Sequence, residues 1–218
     1  MIPGPYIVIA CSNCQALSTF RSLKTGNTFG AVRWTDGKLD APMLPSRPMV
    51  TKCHVCGTIY WVDDARRVGE YEFSKPDQSN VDPAWEEAPK VRDLTEDECY
   101  QAIDSGLGST IEKERLLRLI TWWRSNDRFR DSSAPVVQSL DDRRIENMRR
   151  LFDLLDTDRV NDRITRAELA RELGDFAGAV HLLATIDDKR VGHIKSFLLA
   201  LCHENITTVK QIPEEEDG

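Results

Sequence analysis

Two cysteine pairs near the start of the chain constrain its fold more than any other feature. Cys11 and Cys14 form one C-x-x-C pair, and Cys53 and Cys56 form the second. Two intervening residues let a tight turn direct both sulfurs of a pair to one point, and four such sulfurs suit a single tetrahedral Zn²⁺. Gly57, directly after the second pair, fits a backbone that turns beneath a metal, because glycine readily adopts a positive φ. The sequence therefore predicts one Zn²⁺ bound by these four cysteines.

The segments beside the pairs have the apolar, β-branched composition of strands, at residues 6–9 and 58–62. Cysteine turns between strands resemble the zinc-ribbon family over residues 6–62. The same cage also resembles rubredoxin, which makes iron the main rival metal. Two features depart from these families: Gln15 stands where rubredoxin-like turns usually carry glycine, and the spacer over residues 15–52 exceeds the usual length of about 15–20 residues. Because the protein supplies all four ligands, no position is open to water or substrate, and a structural metal is expected.

The spacer contains a hairpin signal and an excess of positive charge. Val32 and Trp34 alternate with polar residues before Asp36-Gly37, a strong turn dipeptide, so a strand over about 30–35 that turns back is expected. Residues 15–52 hold six basic and two acidic side chains. Basic residues beside aromatic rings can hold single-stranded nucleic acid, which makes residues 15–52 a candidate nucleic-acid surface. We favour the alternative that Trp34 packs into a small ribbon core and the charges are solvated, because the patch is small.

Residues 68–92 are polar and broken by proline, so they are expected to form a linker that Trp85 fixes to one domain. From residue 93 onward the pattern predicts about six helices. Apolar residues recur at helical spacing, for example at Leu116, Leu119, Ile120 and Trp123. Three capping boxes mark expected helix starts, namely Thr95-x-x-Glu98, Ser109-x-x-Glu112 and Thr165-x-x-Glu168.

A glycine-aspartate-aromatic turn, Gly174-Asp175-Phe176, lies within residues 167–183, and Ala179 follows three positions later. This segment resembles the centre of a tetratricopeptide repeat over about half of one unit of about 34 residues. The family implies that Gly174 permits the turn, Phe176 fills the wedge and Ala179 lets the helices approach. It also implies binding of proteins or peptides. The combination is similar to uncharacterised bacterial proteins in which a zinc ribbon is joined to a repeat-like helical region.

Charge and missing motifs limit the function classes. The net charge of −7 arises from residues 91–218, which hold 19 basic and 26 acidic side chains and so make a poor general ligand for polyanions. The sequence contains no P-loop, G-x-G-x-x-G, G-x-S-x-G or H-E-x-x-H motif. No catalytic or cofactor-binding residue is therefore predicted, and an enzyme is not expected. Cys99 and Cys202 are expected to be small core residues.

The expected fold class is α+β. It comprises a β-rich zinc ribbon (1–67), a linker (68–92), an all-α repeat-like domain (93–212) and an acidic tail (213–218). No run of residues is long enough to span a bilayer and the start of the chain lacks a signal-peptide pattern, so a cytoplasmic location is expected. The expected function is non-catalytic protein–protein interaction. A nucleic-acid-binding ribbon is the first alternative, and an inhibitor or immunity-type partner of a basic protein is the second. The sequence does not define the partner or the oligomeric state.

Overall fold

The computed structural model describes residues 1–72, 81–130 and 140–214. The described residues contain seven strands and seven α-helices, which confirms the predicted α+β class. They group into two compact units. The cysteine unit comprises Met1–Ala31 and Ala41–Glu98, and the helical unit comprises Val32–Asp40 and the part of Cys99–Gly218 that is described. Within the predicted linker and tail, residues 73–80 and 215–218 lie outside the described residues.

The paired strands of both units are antiparallel. Their bounds are β1 (Ile2–Ala10), β2 (Leu17–Thr25), β3 (Val32–Arg33), β4 (Leu39–Asp40), β5 (Val50–Lys52), β6 (Ile59–Trp61) and β7 (Arg66–Tyr71). In the cysteine unit, β1 lies at the centre of a sheet of order β2–β1–β7, and β5 pairs with β6. The central position of β1 follows from its buried run from Ile7 to Ala10, since a strand covered on both faces carries continuous apolar residues.

The core of the cysteine unit forms where the two cysteine pairs meet the sheet. Ile7 and Ile9 from β1 pack with Tyr60 from β6 and with Val62 just beyond it. Cys11 and Cys53 are part of the same buried cluster. A small unit of this kind has little apolar surface to bury, and two of the four candidate ligand cysteines fill part of its core.

The described parts of the predicted linker carry regular structure. Strand β7 enters the sheet on one side of residues 73–80, and helix α1 (Pro83–Glu87) begins soon after them. The Trp85 ring covers Gly69, where an added Cβ would lie 2.1 Å from the ring, so Trp85 does fix this segment to the cysteine unit. Farther along, the Thr19 backbone N–H donates to the carbonyl of Pro89 (2.9 Å), and the Val91 N–H donates to the carbonyl of Thr19 (2.8 Å).

All six helices predicted between residues 93 and 212 are present. They are α2 (Glu96–Asp104), α3 (Ile111–Arg130), α4 (Asp142–Leu154), α5 (Val160–Glu172), α6 (Phe176–Ala184) and α7 (Gly192–His203). The first capping box is confirmed, because the Thr95 N–H donates to the Glu98 carboxylate (3.0 Å) and the Glu98 N–H donates to the Thr95 hydroxyl (3.3 Å). Consecutive helices from α3 to α7 contact one another.

The predicted start of α5 is wrong. Thr165 lies inside the helix, where its hydroxyl donates to the Asn161 carbonyl (2.9 Å). Glu168 does not cap the helix but is fully buried and ion-paired with Arg171. The Thr-x-x-Glu pattern therefore lies within a helix here and does not mark a helix start. The Thr165 hydroxyl bonds to the backbone one turn earlier, and Glu168 bonds to Arg171.

The turn between α5 and α6 follows the predicted geometry. Gly174 has a φ of +83°, a conformation in which a side chain is unfavourable. Asp175 caps α6, since its carboxylate accepts a hydrogen bond from the Gly178 N–H (2.9 Å). Ala179 is fully buried, and the half-buried Phe176 packs against the same small cluster. Small side chains at this crossing let α5 and α6 approach closely.

The predicted hairpin around Asp36-Gly37 forms, but it belongs to the helical unit. Strands β3 and β4 enclose the turn, and the Thr35 N–H donates to the carbonyl of Lys210 (2.9 Å). The expectation that Trp34 packs in a ribbon core is wrong. Its indole lies under the guanidinium of Arg130, 4.9 Å from the ring centroid, because the strand before the turn pairs with the C-terminal segment of the helical unit.

Candidate metal centre

The first cysteine pair lies in the turn that joins β1 to β2. The Cys11 N–H donates to the carbonyl of Ala16 (2.9 Å), and the Gln15 N–H donates to the carbonyl of Cys11 (3.0 Å). These two bonds close the turn. A third bond runs from the Asn13 N–H to Cys11 Sγ (3.4 Å), and a donor at this position stabilises negative charge on the sulfur.

The second pair repeats this arrangement in the turn between β5 and β6. The Cys53 N–H donates to the carbonyl of Thr58 (2.9 Å), the Gly57 N–H donates to the carbonyl of Cys53 (3.0 Å), and the Val55 N–H approaches Cys53 Sγ at 3.4 Å. Both turns therefore direct their sulfurs by the same hydrogen bonds. Two matching turns at the ends of two strand pairs are the local structure that the C-x-x-C spacing predicts.

The two turns bring all four predicted ligand cysteines together. Their sulfurs lie within 4.8 Å of one another. Cys14 Sγ is 3.5 Å from Cys53 Sγ, and Cys11 Sγ is 3.7 Å from Cys56 Sγ. Four sulfurs bound tetrahedrally at about 2.3 Å from one ion would be separated by about 3.8 Å. The measured distances therefore fit a metal ion at the centre of the cluster.

The thiol pKa values show how strongly the sulfurs interact. The Thr58 hydroxyl lies 3.2 Å from Cys56 Sγ, and hydrogen bonding with the side chain and backbone of Thr58 lowers the pKa of Cys56 to about 5. The backbone of Ala16 lowers the pKa of Cys14, but hydrogen bonding with Cys56 and desolvation outweigh it and raise that pKa to about 12. Thiols this close cannot all ionise without a neighbouring cation, since each thiolate disfavours the next. A divalent metal would supply the missing positive charge.

Polar side chains that the cysteine pattern did not predict surround the cluster. The Asn13 side chain donates to the Thr58 hydroxyl (3.1 Å), which joins the first turn to the second. Arg66 donates to the side-chain oxygen of Gln15 (2.9 Å). Such contacts around a metal site orient the ligands. Their only sequence signal is proximity to a cysteine pair, which does not reveal side-chain direction.

The remaining cysteines lie apart from the cluster. Cys99 and Cys202 are both buried, as expected for small core residues, and burial raises the pKa of Cys202. His54 is exposed in the second turn. Within residues 1–72, 81–130 and 140–214, the four cysteines are the only group of three or more Cys, His, Asp or Glu side chains arranged to hold a metal.

Comparisons with protein-family models, curated proteins and solved structures give no match to this chain. Among the helices of the described residues, none is both long enough and apolar enough to cross a bilayer.

Proposed function

We propose that the chain is a non-catalytic protein-interaction protein whose cysteine unit is held together by one structural Zn²⁺. The observation that carries the metal assignment is the four-sulfur cluster, built by two turns with matching hydrogen bonds. Four thiolates form a soft, closed ligand set, which zinc fills without redox chemistry. Iron in the same cage is the rival, as in rubredoxin.

A structural role for the metal is supported by the position of its ligands. Cys11 and Cys53 are part of the core of the cysteine unit, with 0% and 4% of their surface exposed. The protein supplies all four ligands, so substrate or water would have to displace a cysteine to reach the ion. Metal binding would then supply stability that the small apolar core of this unit does not provide.

Protein interaction is supported by the helical unit. Helices α5 and α6 form a close pair around Gly174 and Ala179, and the neighbouring helices α4 and α7 contact that pair. Stacked helix pairs present continuous side-chain surfaces, and repeat proteins use such surfaces to bind other proteins. The proposed location is the cytoplasm, where thiols remain reduced and available to a metal.

Nucleic-acid binding through residues 15–52 is the second candidate, and the contacts of its side chains give it less support. Lys24, Lys38 and Lys52 each pair with a carboxylate, at 3.0, 2.7 and 3.2 Å. The Trp34 indole N–H donates to Asp40 (2.9 Å), and Arg130 covers its ring. A ring in this position would have to leave Arg130 before a base could stack on it. An inhibitor of a basic protein is the third candidate and rests on the net charge of −7.

Affinity capture with the full chain distinguishes these candidates. The chain is immobilised and exposed to a lysate with or without nuclease, and the bound material is eluted over a salt gradient. We expect a protein that survives nuclease and that afterwards binds the purified chain saturably at a fixed stoichiometry. Recovery of nucleic acid alone, released steeply by salt, would favour the second candidate. A captured protein that is strongly basic and is released by salt would favour the third.

A further inference from the structure

The helical unit contains a buried network of charged side chains that the proposed function does not use. Glu168 and Arg171 are fully buried and form a two-bond ion pair, at 2.7 and 2.6 Å. Asp36, which is 2% exposed, pairs with Arg130. Glu172 is the third buried carboxylate, with 3% exposure. Among these residues there are three carboxylates and only two guanidinium groups.

Glu172 is the carboxylate that lacks a close cation. Its hydrogen bonds come from neutral donors: the Trp122 indole N–H at 2.7 Å and the Asn126 amide at 3.1 and 3.2 Å. Its one ion-pair contact among the described residues is with Arg171, whose Nη2 lies 4.0 Å away, beyond hydrogen-bonding distance. That guanidinium is already engaged by Glu168. A buried carboxylate without a close counter-ion is costly, and a positive charge placed beside it would be stabilised.

Glu172 lines a cavity of about 310 Å³. Its described polar lining comes from Glu172, Asn126, Thr207 and Thr208, with Gly174 beside them, and its apolar lining comes from Phe129, Leu140, Ile145 and Leu173. This volume is at the lower end of the range typical of small-molecule sites, about 300–1,000 Å³. A partly apolar wall with an acidic residue at one point suits a ligand with two parts, a cationic group and a short apolar body.

We propose that this cavity binds a small organic monocation, a primary ammonium carried on a short alkyl or aryl group, with Glu172 as its counter-ion. The ammonium would approach the Glu172 carboxylate, and the apolar body would lie against the four apolar side chains. A divalent metal suits the site less well, because it needs several oxygen ligands and Glu172 is the only carboxylate among the described lining residues. An anion would face the excess of carboxylates.

The direction of the pKa shift of Glu172 agrees with this assignment. Desolvation raises the pKa of Glu172 well above its usual range, and the charge of Glu168 acts in the same direction. The charge of Asp36 also raises this pKa. Arg171 and the hydrogen bond from Trp122 lower it. An ammonium ion beside this carboxyl group would favour its ionised form and so act against the increase in its pKa.

Titration of the full chain with benzylammonium tests the proposal, and neutral benzyl alcohol serves as the matched probe. The reporter is the indole N–H signal of Trp122 in a ¹H–¹⁵N spectrum, because this group donates directly to Glu172. We expect a saturable shift with benzylammonium and at least tenfold weaker binding of benzyl alcohol. Equal binding of the two probes, or no shift with either, would overturn the proposal.

Three variants locate the site. Glu172→Gln should weaken benzylammonium binding at least tenfold, whereas Glu204→Gln, which removes the same charge from an exposed position, should bind like the parent. Ile145→Trp should fill the cavity and block binding while leaving Glu172 in place. This variant therefore tests whether the ligand binds in the cavity even if Glu172→Gln does not fold. Unchanged binding in the cavity-filled variant, or in a folded Glu172→Gln variant, would show that the ligand binds elsewhere.

Discussion

The residue after each cysteine pair has a left-handed backbone conformation. Gly57 has a φ of +73° and Gln15 has a φ of +61°. The glutamine that departs from the rubredoxin-like pattern thus adopts the same turn as the glycine. Its side chain offsets part of the cost, because the amide donates to the Cys11 carbonyl (3.0 Å) and accepts a hydrogen bond from Arg66 (2.9 Å).

Gly57→Ala should therefore destabilise the cysteine unit by about 1–2 kcal/mol, the usual cost of a left-handed conformation in a residue with a Cβ. A Cβ at this position would meet no atom closer than 3.8 Å, so the effect would come from the backbone and not from a clash. Release of metal to a chromogenic chelator during urea unfolding measures the change.

Gln15→Gly is the matched control, because it relieves the same strain but removes two side-chain hydrogen bonds. Its stability should remain within about 1 kcal/mol of the parent. If Gly57→Ala releases metal at the same urea concentration as the parent, the left-handed turn does not limit the stability of the cysteine unit.

The buried carboxyl group of Glu172 predicts a pH-dependent stability. Its pKa is raised in the folded chain, so unfolding allows the group to ionise as the pH rises above about 4.5. Each further pH unit, up to the pKa of the folded state, then lowers the free energy of unfolding by about 1.4 kcal/mol. Glu172→Gln removes this pH-dependent loss, so the variant should become more stable relative to the parent as the pH rises from 5 to 8.

Urea unfolding followed by circular dichroism at pH 5, 6.5 and 8 measures this difference. Glu204→Gln is the control, since its carboxylate is exposed and the substitution should show no such trend. A difference between Glu172→Gln and the parent that does not change with pH would mean that Glu172 ionises normally in the folded chain.

The sequence predicted the four-cysteine cluster better than the buried charged network, for a physical reason. Cysteine spacing encodes ligand geometry locally, because each pair needs only one turn. Asp36 and Asn126 are 90 positions apart, yet they are hydrogen-bonded at 3.1 Å. Asp, Asn and Glu usually lie at protein surfaces, so nothing in their local pattern indicates burial.

Helix positions were predictable because their signals are local as well. Periodic apolar residues and the Thr95–Glu98 box placed six helices in order. The buried face of α3 was predicted less accurately. Leu117, Thr121 and Trp122 are buried there, whereas Leu116 and Trp123 are only partly covered. Elements distant in sequence, including the hairpin at 32–40, surround this helix, so a single apolar stripe does not describe it.

The close approach of α5 and α6 depends on Ala179. Ala179→Leu should destabilise the helical unit by about 1–3 kcal/mol, because the side chain is fully buried and extra methyl groups would force the helices apart. Ala177→Leu adds the same atoms at an exposed position of the same helix and should change stability little. Thermal melts of the full chain followed at 222 nm compare the two. Equal melting temperatures would contradict the close packing of this helix pair.

The long spacer between the cysteine pairs is explained by the division of the whole chain into two units. Residues 32–40 belong to the helical unit, whereas the residues on either side belong to the cysteine unit. A zinc-ribbon spacer of ordinary length only connects the two cysteine turns, whereas this spacer also contains a hairpin that belongs to the helical unit. Sequence could predict the hairpin from Asp36-Gly37 but not its location, because its pairing with residues 210–212 is set by contacts far apart in the chain.

The metal content of the intact protein tests the account most directly. Native mass spectrometry with elemental analysis should find one Zn²⁺ per chain, retained in Cys99→Ser and lost in Cys53→Ser. Both substituted cysteines are buried, so they differ mainly in whether they belong to the cluster. Cys53→Ser should also keep most of its helical circular dichroism, since the helices have their own cores. A protein purified without any transition metal, or one whose metal is lost in Cys99→Ser, would contradict the four-cysteine site.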